Sequence, residues 1–243
     1  MYKNYRFWKN GIRVTKGKSV STIILAAGTA ERMGGGGKAF LKAGGQTYLA
    51  RLVALFSQYS QQVIVALNAE DLHNLDADHT TLACLFIQGG ATRQETIERA
   101  FQECRGSLIL IHEVARPLVT AADITALVDC ANSHSAVTLV SPIKSRDSLS
   151  YVLDGHVLAP VERENLVELK TPQAYHSSTL SEVFTRAKEE SWLENSLVPL
   201  CRRANIIVKC IQGSEQNLKV TYPEDILRVE RTLKIRDEGG RNG

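Results

Sequence analysis

Between Ser21 and Lys38 the chain places small residues and two cations where an anion could be held. Ala26, Ala27 and Gly28 follow a short apolar run, and a loop then carries Arg32, the four glycines Gly34 to Gly37, and Lys38. Small residues let the backbone approach a ligand, and N–H groups in such a loop can cradle an anion. Arginine and lysine add charge suited to phosphate oxygens. The chemistry on offer is polyphosphate binding. The loop is not a Walker loop, because Ala39 follows Lys38, and Ala30 breaks the glycine spacing of a dinucleotide fingerprint. Taken alone, it reads equally well as a flexible surface loop with two solvated cations.

The elements around it decide more. Thr22 to Leu25 is apolar and rich in β-branched residues, which suits a buried strand. Further strands are predicted at Gln62–Ala66, Leu85–Ile87, Leu108–Ile111 and Val137–Val140, and helices at Tyr48–Gln58, Arg93–Cys104 and Ala121–Ser133. This alternation predicts an α/β, Rossmann-like fold: a mostly parallel sheet with helices on both faces. Ligands of such sheets sit at the carboxyl ends of the strands. The loops Gly28–Lys38, Gly89–Arg93 and His112–Pro117 all fall there. Asp154-Gly155, between strand-like runs at Ser148–Leu153 and His156–Leu158, signals an inserted β-hairpin arm over about residues 143–160. The arm either folds on its own domain or reaches another subunit.

Composition sets the bounds. A chain of 243 residues with 44% apolar and 23% charged residues is expected to be one soluble globular domain, here over residues 20–235. No apolar run approaches the roughly 20 residues of a membrane helix. The net charge of +3 conceals an asymmetry: Lys3, Arg6, Lys9, Arg13, Lys16 and Lys18 precede the first acid, so the body is mildly acidic. That argues against a nucleic-acid binder, which shows a basic face. Residues 1–19 read as a disordered or adventitious extension, in preference to a targeting segment. Residues 236–243 read as a polar tail too short for a fused second enzyme. The five cysteines lack any C-x-x-C pair, which fits reduced thiols in the cytoplasm.

Four segments in order carry a resemblance. They are Leu25–Gly34 with Lys38-Ala39-Phe40-Leu41; Gly89-Gly90-Ala91-Thr92-Arg93-Gln94; Ile111-His112-Glu113-Val114-Ala115-Arg116-Pro117; and Thr171-Pro172-Gln173-Ala174-Tyr175 with Asn217–Asp225 behind it. Together they resemble the 2-C-methyl-D-erythritol 4-phosphate cytidylyltransferases, over about residues 20–235. The resemblance implies that CTP and a polyol phosphate give a CDP-polyol and pyrophosphate, with Mg2+, in a homodimer. A phosphate monoester has its second pKa near ~6 and is already a nucleophile. Catalysis then reduces to alignment and charge stabilisation, with no need for a Ser-His-Asp set.

The resemblance also implies roles. Arg32, Lys38 and Lys219 would grip the triphosphate and stabilise charge at the α-phosphorus. Ala26, Ala27 and Gly28 would make room for the nucleotide, with Gly90 and Thr96 completing base recognition. Arg93 would either bind the nucleotide or hold its loop. Arg116 would face either substrate, or else pair within its loop, with Glu113 as the partner. Arg163 and Thr171, with Ser148 near the hairpin, would bind the acceptor phosphate, the arm's residues reaching across from the neighbouring subunit. No residues are assigned as metal ligands.

Several positions depart from the family pattern. Ala30 stands for a glycine, and Gly37 for a proline, which leaves a looser loop with more entropy to lose on binding. Glu113 stands for an aspartate and carries its carboxylate out by one methylene, about 1.5 Å. Trp192-Leu193-Glu194-Asn195-Ser196 replaces a threonine- and acid-rich segment, and Leu200–Asn205 is longer than usual. These acceptor-side changes keep open a ribitol 5-phosphate cytidylyltransferase and a nucleotide-binding homologue without turnover.

Overall fold

In a computed structural model of the chain, residues 18–28, 37–145 and 147–239 are described. Eleven strands are formed: β1 (Val20–Ala26), β2 (Lys42–Ala43), β3 (Gln46–Thr47), β4 (Gln62–Leu67), β5 (Leu85–Gln88), β6 (Leu108–Glu113), β7 (Ala136–Pro142), β8 (Ser150–Leu153), β9 (His156–Pro160), β10 (Val167–His176) and β11 (Lys209–Gln212). Seven of them build the central sheet, in the order β11-β7-β10-β6-β1-β4-β5. β1 runs parallel to β4 and β6, and β7 parallel to β11. The sheet is therefore mainly parallel, as the strand alternation predicts.

Two features differ from that reading. β10 lies antiparallel between β6 and β7, although its segment stands out in the sequence only for its motif. β6 also continues through His112 and Glu113, so both lie in the sheet and not in the following loop. Its pairing with β1 extends to Leu25 opposite Glu113, and that ladder holds the strand two residues longer than its apolar run suggests.

Adjacent strand residues point to opposite faces, and here both faces are covered. Val20, Ile24, Val65 and Leu110 pack with helices α1 (Tyr48–Phe56), α5 (Ala121–Cys130) and α8 (Pro223–Gly239). Ile23, Leu25, Ile109 and Ile111 pack with α4 (Arg93–Gln102), α6 (Ser177–Glu189) and α7 (Leu197–Arg203). Two-sided burial explains why these strands read as unbroken apolar runs. Two short helices, α2 (Ala69–His73) and α3 (Ala77–Thr80), bridge β4 to β5. The helix starts are written in side chains: Thr47, Thr92 and Thr120 each accept a hydrogen bond from a first-turn N–H. The three anticipated helices begin where expected and end two or three residues sooner.

The hairpin forms as read. Asp154 (φ 49°) and Gly155 (φ 79°) supply the two positive φ angles that a tight hairpin turn needs. Among the described residues, β8 and β9 pair only with each other. Tyr151, Val152, Leu153, Val157 and Leu158 are between 60% and 73% exposed. The alternative of an arm folded onto its own domain is thus not what the chain adopts. The N-terminal extension up to residue 17 and the loop segment 29–36, with Arg32, lie outside the described residues.

Candidate active site

The carboxyl ends of β1, β5 and β6 open onto a cavity of about 470 Å³. β1 delivers Ala26, Ala27 and Gly28 to its wall; the loop after β5 delivers Gly90 to Arg93; β6 delivers Glu113; Lys38 and Lys219 enter from their own loops. Among the described residues, nothing stands within 4 Å of where a Gly28 side chain would begin. Gly89 does not: a Cβ there would stand 2.7 Å from the Ala27 Cβ. The neighbouring small residues therefore serve two purposes, one loop packed on another and backbone left bare toward the cavity. α4 begins at this wall, with the positive end of its dipole nearby. Thr96, buried, accepts a hydrogen bond from the Gly90 N–H at 3.0 Å and donates to the Thr92 carbonyl at 2.9 Å, and so shapes the loop from below. Gly37 lies against Asp71, where any Cβ would overlap the carboxylate. A side chain at this position would require the Asp71 carboxylate to move aside.

Electrostatics centre on Glu113. Its Oε1 accepts from Arg93 at 2.8 Å and from Lys219 Nζ at 2.9 Å, and its Oε2 from Arg116 Nε at 3.1 Å. Burial alone would raise its pKa, but the charges of Arg93, Lys219 and Arg116 outweigh this and hold it at about 2. Lys38 Nζ donates to the Val220 carbonyl at 2.9 Å. The cleft thus gathers cations around one carboxylate, an arrangement suited to polyanions.

A second cavity, of about 220 Å³, shares Arg93, Glu113 and Lys219 with the first and adds Arg116, Lys170, Thr171, Asn195 and Ser196. Its floor is a closed polar network. Burial lowers the pKa of His112 to about 4, so the ring is neutral near pH 7. Its Nε2–H then donates to the Arg116 carbonyl (3.0 Å), and its Nδ1 accepts from the Thr171 hydroxyl (3.1 Å), a tautomer assigned from the network. Thr171 Oγ1 in turn accepts from the Glu113 N–H at 3.1 Å. These bonds tie the end of β6 to β10 and fix the strand end that carries Glu113.

The altered segment Trp192–Ser196 is anchored to α4. Gln94 donates to the Trp192 carbonyl (3.2 Å) and accepts from the Glu194 N–H (3.1 Å). The Trp192 ring lies under the guanidinium groups of Arg186 and Arg203, at 5.6 and 5.9 Å. Glu194 is paired with Arg203 at 2.7 Å, so Asn195 and Ser196 are what this segment presents to the second cavity.

The structure thus brings Ala26, Ala27, Gly28, Lys38, Gly90, Arg93, Thr96, Glu113, Arg116, Thr171 and Lys219 into two adjoining cavities. Arg93 and Arg116 both pair with Glu113, the loop-holding alternative open to each of them in the sequence. Ser148 and Arg163 line neither cavity of their own chain; Arg163 donates instead to the Asp147 carbonyl. Sequence reasoning gave no role to Lys170, which lines the second cavity, or to Gln94 and Asn217, which hold its walls: Gln94 anchors the segment carrying Asn195 and Ser196, and the Asn217 carbonyl accepts from Arg116 and Lys170. Lys170 neighbours a motif residue, but only the pairing of β10 turns it inward.

A mainly parallel α/β sheet, bare backbone at the end of its first strand and lysines converging there define a nucleotidyltransferase. The comparison with known proteins agrees and narrows it. The chain belongs to the 2-C-methyl-D-erythritol 4-phosphate cytidylyltransferase family, whose model matches residues 20–235. Relatives bearing that name include a protein of Symbiobacterium thermophilum, 32% identical over 221 residues, covering 88% of this chain and 93% of the relative. A Bacillus cereus relative of the same name is 33% identical over 221 residues, covering 88% of this chain and 97% of the relative. The crystal structure of a Thermus thermophilus enzyme of that name superposes with a TM-score of 0.76 at 28% identity, covering 89% of this chain and 99% of that one.

Proposed function

We propose that the chain transfers CMP from CTP to 2-C-methyl-D-erythritol 4-phosphate, giving CDP-methylerythritol and pyrophosphate. The observation that carries this reading is the wall shared by the two cavities. Arg93, Glu113 and Lys219 line both, so a nucleotide in the larger and a phosphate monoester in the smaller meet at one cluster of cations. The acceptor phosphate is a dianion near neutral pH. One of its oxygens forms the new bond to the α-phosphorus, the bond from that phosphorus to the bridging oxygen of the β-phosphate breaks, and pyrophosphate leaves with the electron pair. No proton has to be removed first, so no general base is needed. Lys38 and Lys219 hold the charge that develops on the phosphoryl oxygens. Arg32, in the same loop as Lys38, belongs to this set through the family resemblance.

The donor set bears on magnesium. Among the described residues no three of His, Cys, Asp and Glu converge, and the carboxylate of Glu113 is taken by three cations. A metal cage built from these side chains does not fit. Magnesium readily keeps its waters and binds substrate phosphates, so a magnesium ion entering with the triphosphate fits this cleft and, when bound, supplies charge neutralisation to the leaving group.

The working unit is a homodimer. Support comes from the apolar arm left exposed by its own chain and from Arg163 and Ser148, acceptor-binding residues by the family resemblance, which line neither cavity of their own chain. Five free cysteines support a cytoplasmic location. Among the described residues no helix is long and apolar enough to cross a membrane.

Pyrophosphate release from purified protein with CTP and magnesium tests the reading, with methylerythritol 4-phosphate and ribitol 5-phosphate compared as acceptors. Release with the first supports it. Release with ribitol 5-phosphate alone, or with neither, overturns it.

A further inference from the structure

Lys170 is a buried cation that the chemistry above leaves unused. It is only 5% exposed, yet it lines the smaller cavity. In a regular strand, residues 170 and 171 would point to opposite faces. Here the pairing of β10 with β7 shifts register between Lys170 and Gln173. Such irregularities re-aim side chains, and Lys170 and Thr171 both come to line the one cavity.

Its partners are few and distant. The ammonium donates to Glu168 Oε2 at 3.3 Å and to the Asn217 carbonyl at 3.5 Å. Glu168 itself is half-exposed. An ammonium carries three donors, and among the described residues the third has no partner. Arg116 donates to the same Asn217 carbonyl, at 3.1 Å, so two cations converge on one oxygen. Burial and the charge of Arg116 both push the pKa of Lys170 down. In all, Arg93, Arg116, Lys170 and Lys219 line this cavity against the single carboxylate of Glu113. Lys170 thus has one half-exposed counter-charge, Glu168, and a buried cation compensated on only one side gains when a further anion joins it.

We propose that Lys170 is an acceptor-binding residue, whose third N–H donates to the phosphate monoester lying in the smaller cavity. The inference rests on the acceptor pocket assigned above and adds to it a residue that selects for charge: neutral polyols gain nothing from Lys170, and dianionic phosphates gain a charge-assisted hydrogen bond.

Calorimetric titration of methylerythritol 4-phosphate, with a non-hydrolysable CTP analogue present, tests it on the wild type, Lys170→Met and Lys170→Arg. Losing a hydrogen bond to a charged group is expected to weaken acceptor binding at least about 10-fold in Lys170→Met. Lys170→Arg should restore most of it, and the analogue's own affinity should stay constant in all three, which also shows that the variants fold. A merely structural lysine would weaken both ligands together or neither, and either pattern overturns the proposal. Should the wild type ignore methylerythritol phosphate, the acceptor assignment fails separately, and inorganic phosphate then carries the test: equal phosphate affinity in wild type and Lys170→Met overturns the role of Lys170, and loss confined to Lys170→Met upholds it.

Discussion

Glu113 Oε1 and Lys219 Nζ stand 2.9 Å apart across 106 residues of sequence, and Arg93 reaches the same oxygen at 2.8 Å. With Arg116 on the other oxygen at 3.1 Å, three cations useful to a polyphosphate are held in place by a carboxylate before any substrate arrives. Glu113 is accordingly a preorganising group: it spaces the cations and keeps them from collapsing onto other partners.

Glu113→Gln should therefore damage both fold and turnover. It leaves Arg93, Arg116 and Lys219 without their counter-charge, a loss of about 3 kcal/mol in unfolding free energy on the scale of broken buried pairs. Urea unfolding measures this, and pyrophosphate release should fall at least ~10-fold in parallel. Because folding depresses the pKa of Glu113 from 4.5 to about 2, its contribution is present above pH 4.5 and fades as pH drops toward 2. A variant as stable and active as the wild type would remove Glu113 from both roles.

Lys38→Ala should lower turnover by at least ~100-fold with the fold intact, the cost of losing a donor aimed at developing charge. Its contact with the Val220 carbonyl ties the phosphate loop to the segment carrying Lys219, so kcat should suffer more than stability. Near-normal turnover would take Lys38 out of catalysis.

Arg163→Ala tests the shared site. Alone, it should raise the KM for acceptor and leave that for CTP nearly unchanged. At an acceptor concentration well below the raised KM, where each variant alone turns over little, Arg163→Ala and Lys38→Ala chains unfolded together and refolded one to one should regain about one quarter of wild-type activity, because half of the dimers carry one intact site of two. No recovery on mixing would place Arg163 outside a site shared between subunits.

His112 predicts a second acid-side loss. Burial lowers its pKa from 6.5 to about 4, so the folded state keeps the ring neutral while the unfolded chain protonates below pH 6.5. Its share of stability is complete above pH 6.5 and declines as pH falls toward 4, by on the order of 3 kcal/mol. Urea midpoints between pH 7.5 and 4.5 should fall more steeply for the wild type than for His112→Asn. Parallel slopes would show that His112 does not stay neutral in the fold.

Much of the fold could be read from local pattern. β1, β4, β6 and β7 follow from apolar runs because strands buried on both faces expose no alternation to confuse them, and the partly buried edge strand β5 keeps a shorter run of the same kind. Asp154-Gly155 announces the hairpin because few other dipeptides accept two positive φ angles. β10 resists this reading: Val167-Glu168-Leu169-Lys170 mixes charge with apolar residues and pairs antiparallel with a strand distant in sequence. The helix ends came out long because amphipathic spacing continues past the last hydrogen-bonded turn.

The candidate site divides in the same way. Small residues, a loop lysine and the segments around Glu113, Thr171 and Lys219 are visible in the sequence because their chemistry is tied to short motifs. What each side chain does is set by contacts between distant segments. Only the fold joins Arg93, Arg116 and Lys219 through one carboxylate, spends the Thr171 hydroxyl on His112, leaves Arg163 outside its own chain's cleft and turns Lys170 inward. Residue types and local spacing specify which chemistry is available; long-range strand pairing decides which charges meet, because electrostatic partnership depends on distance in space and not along the chain.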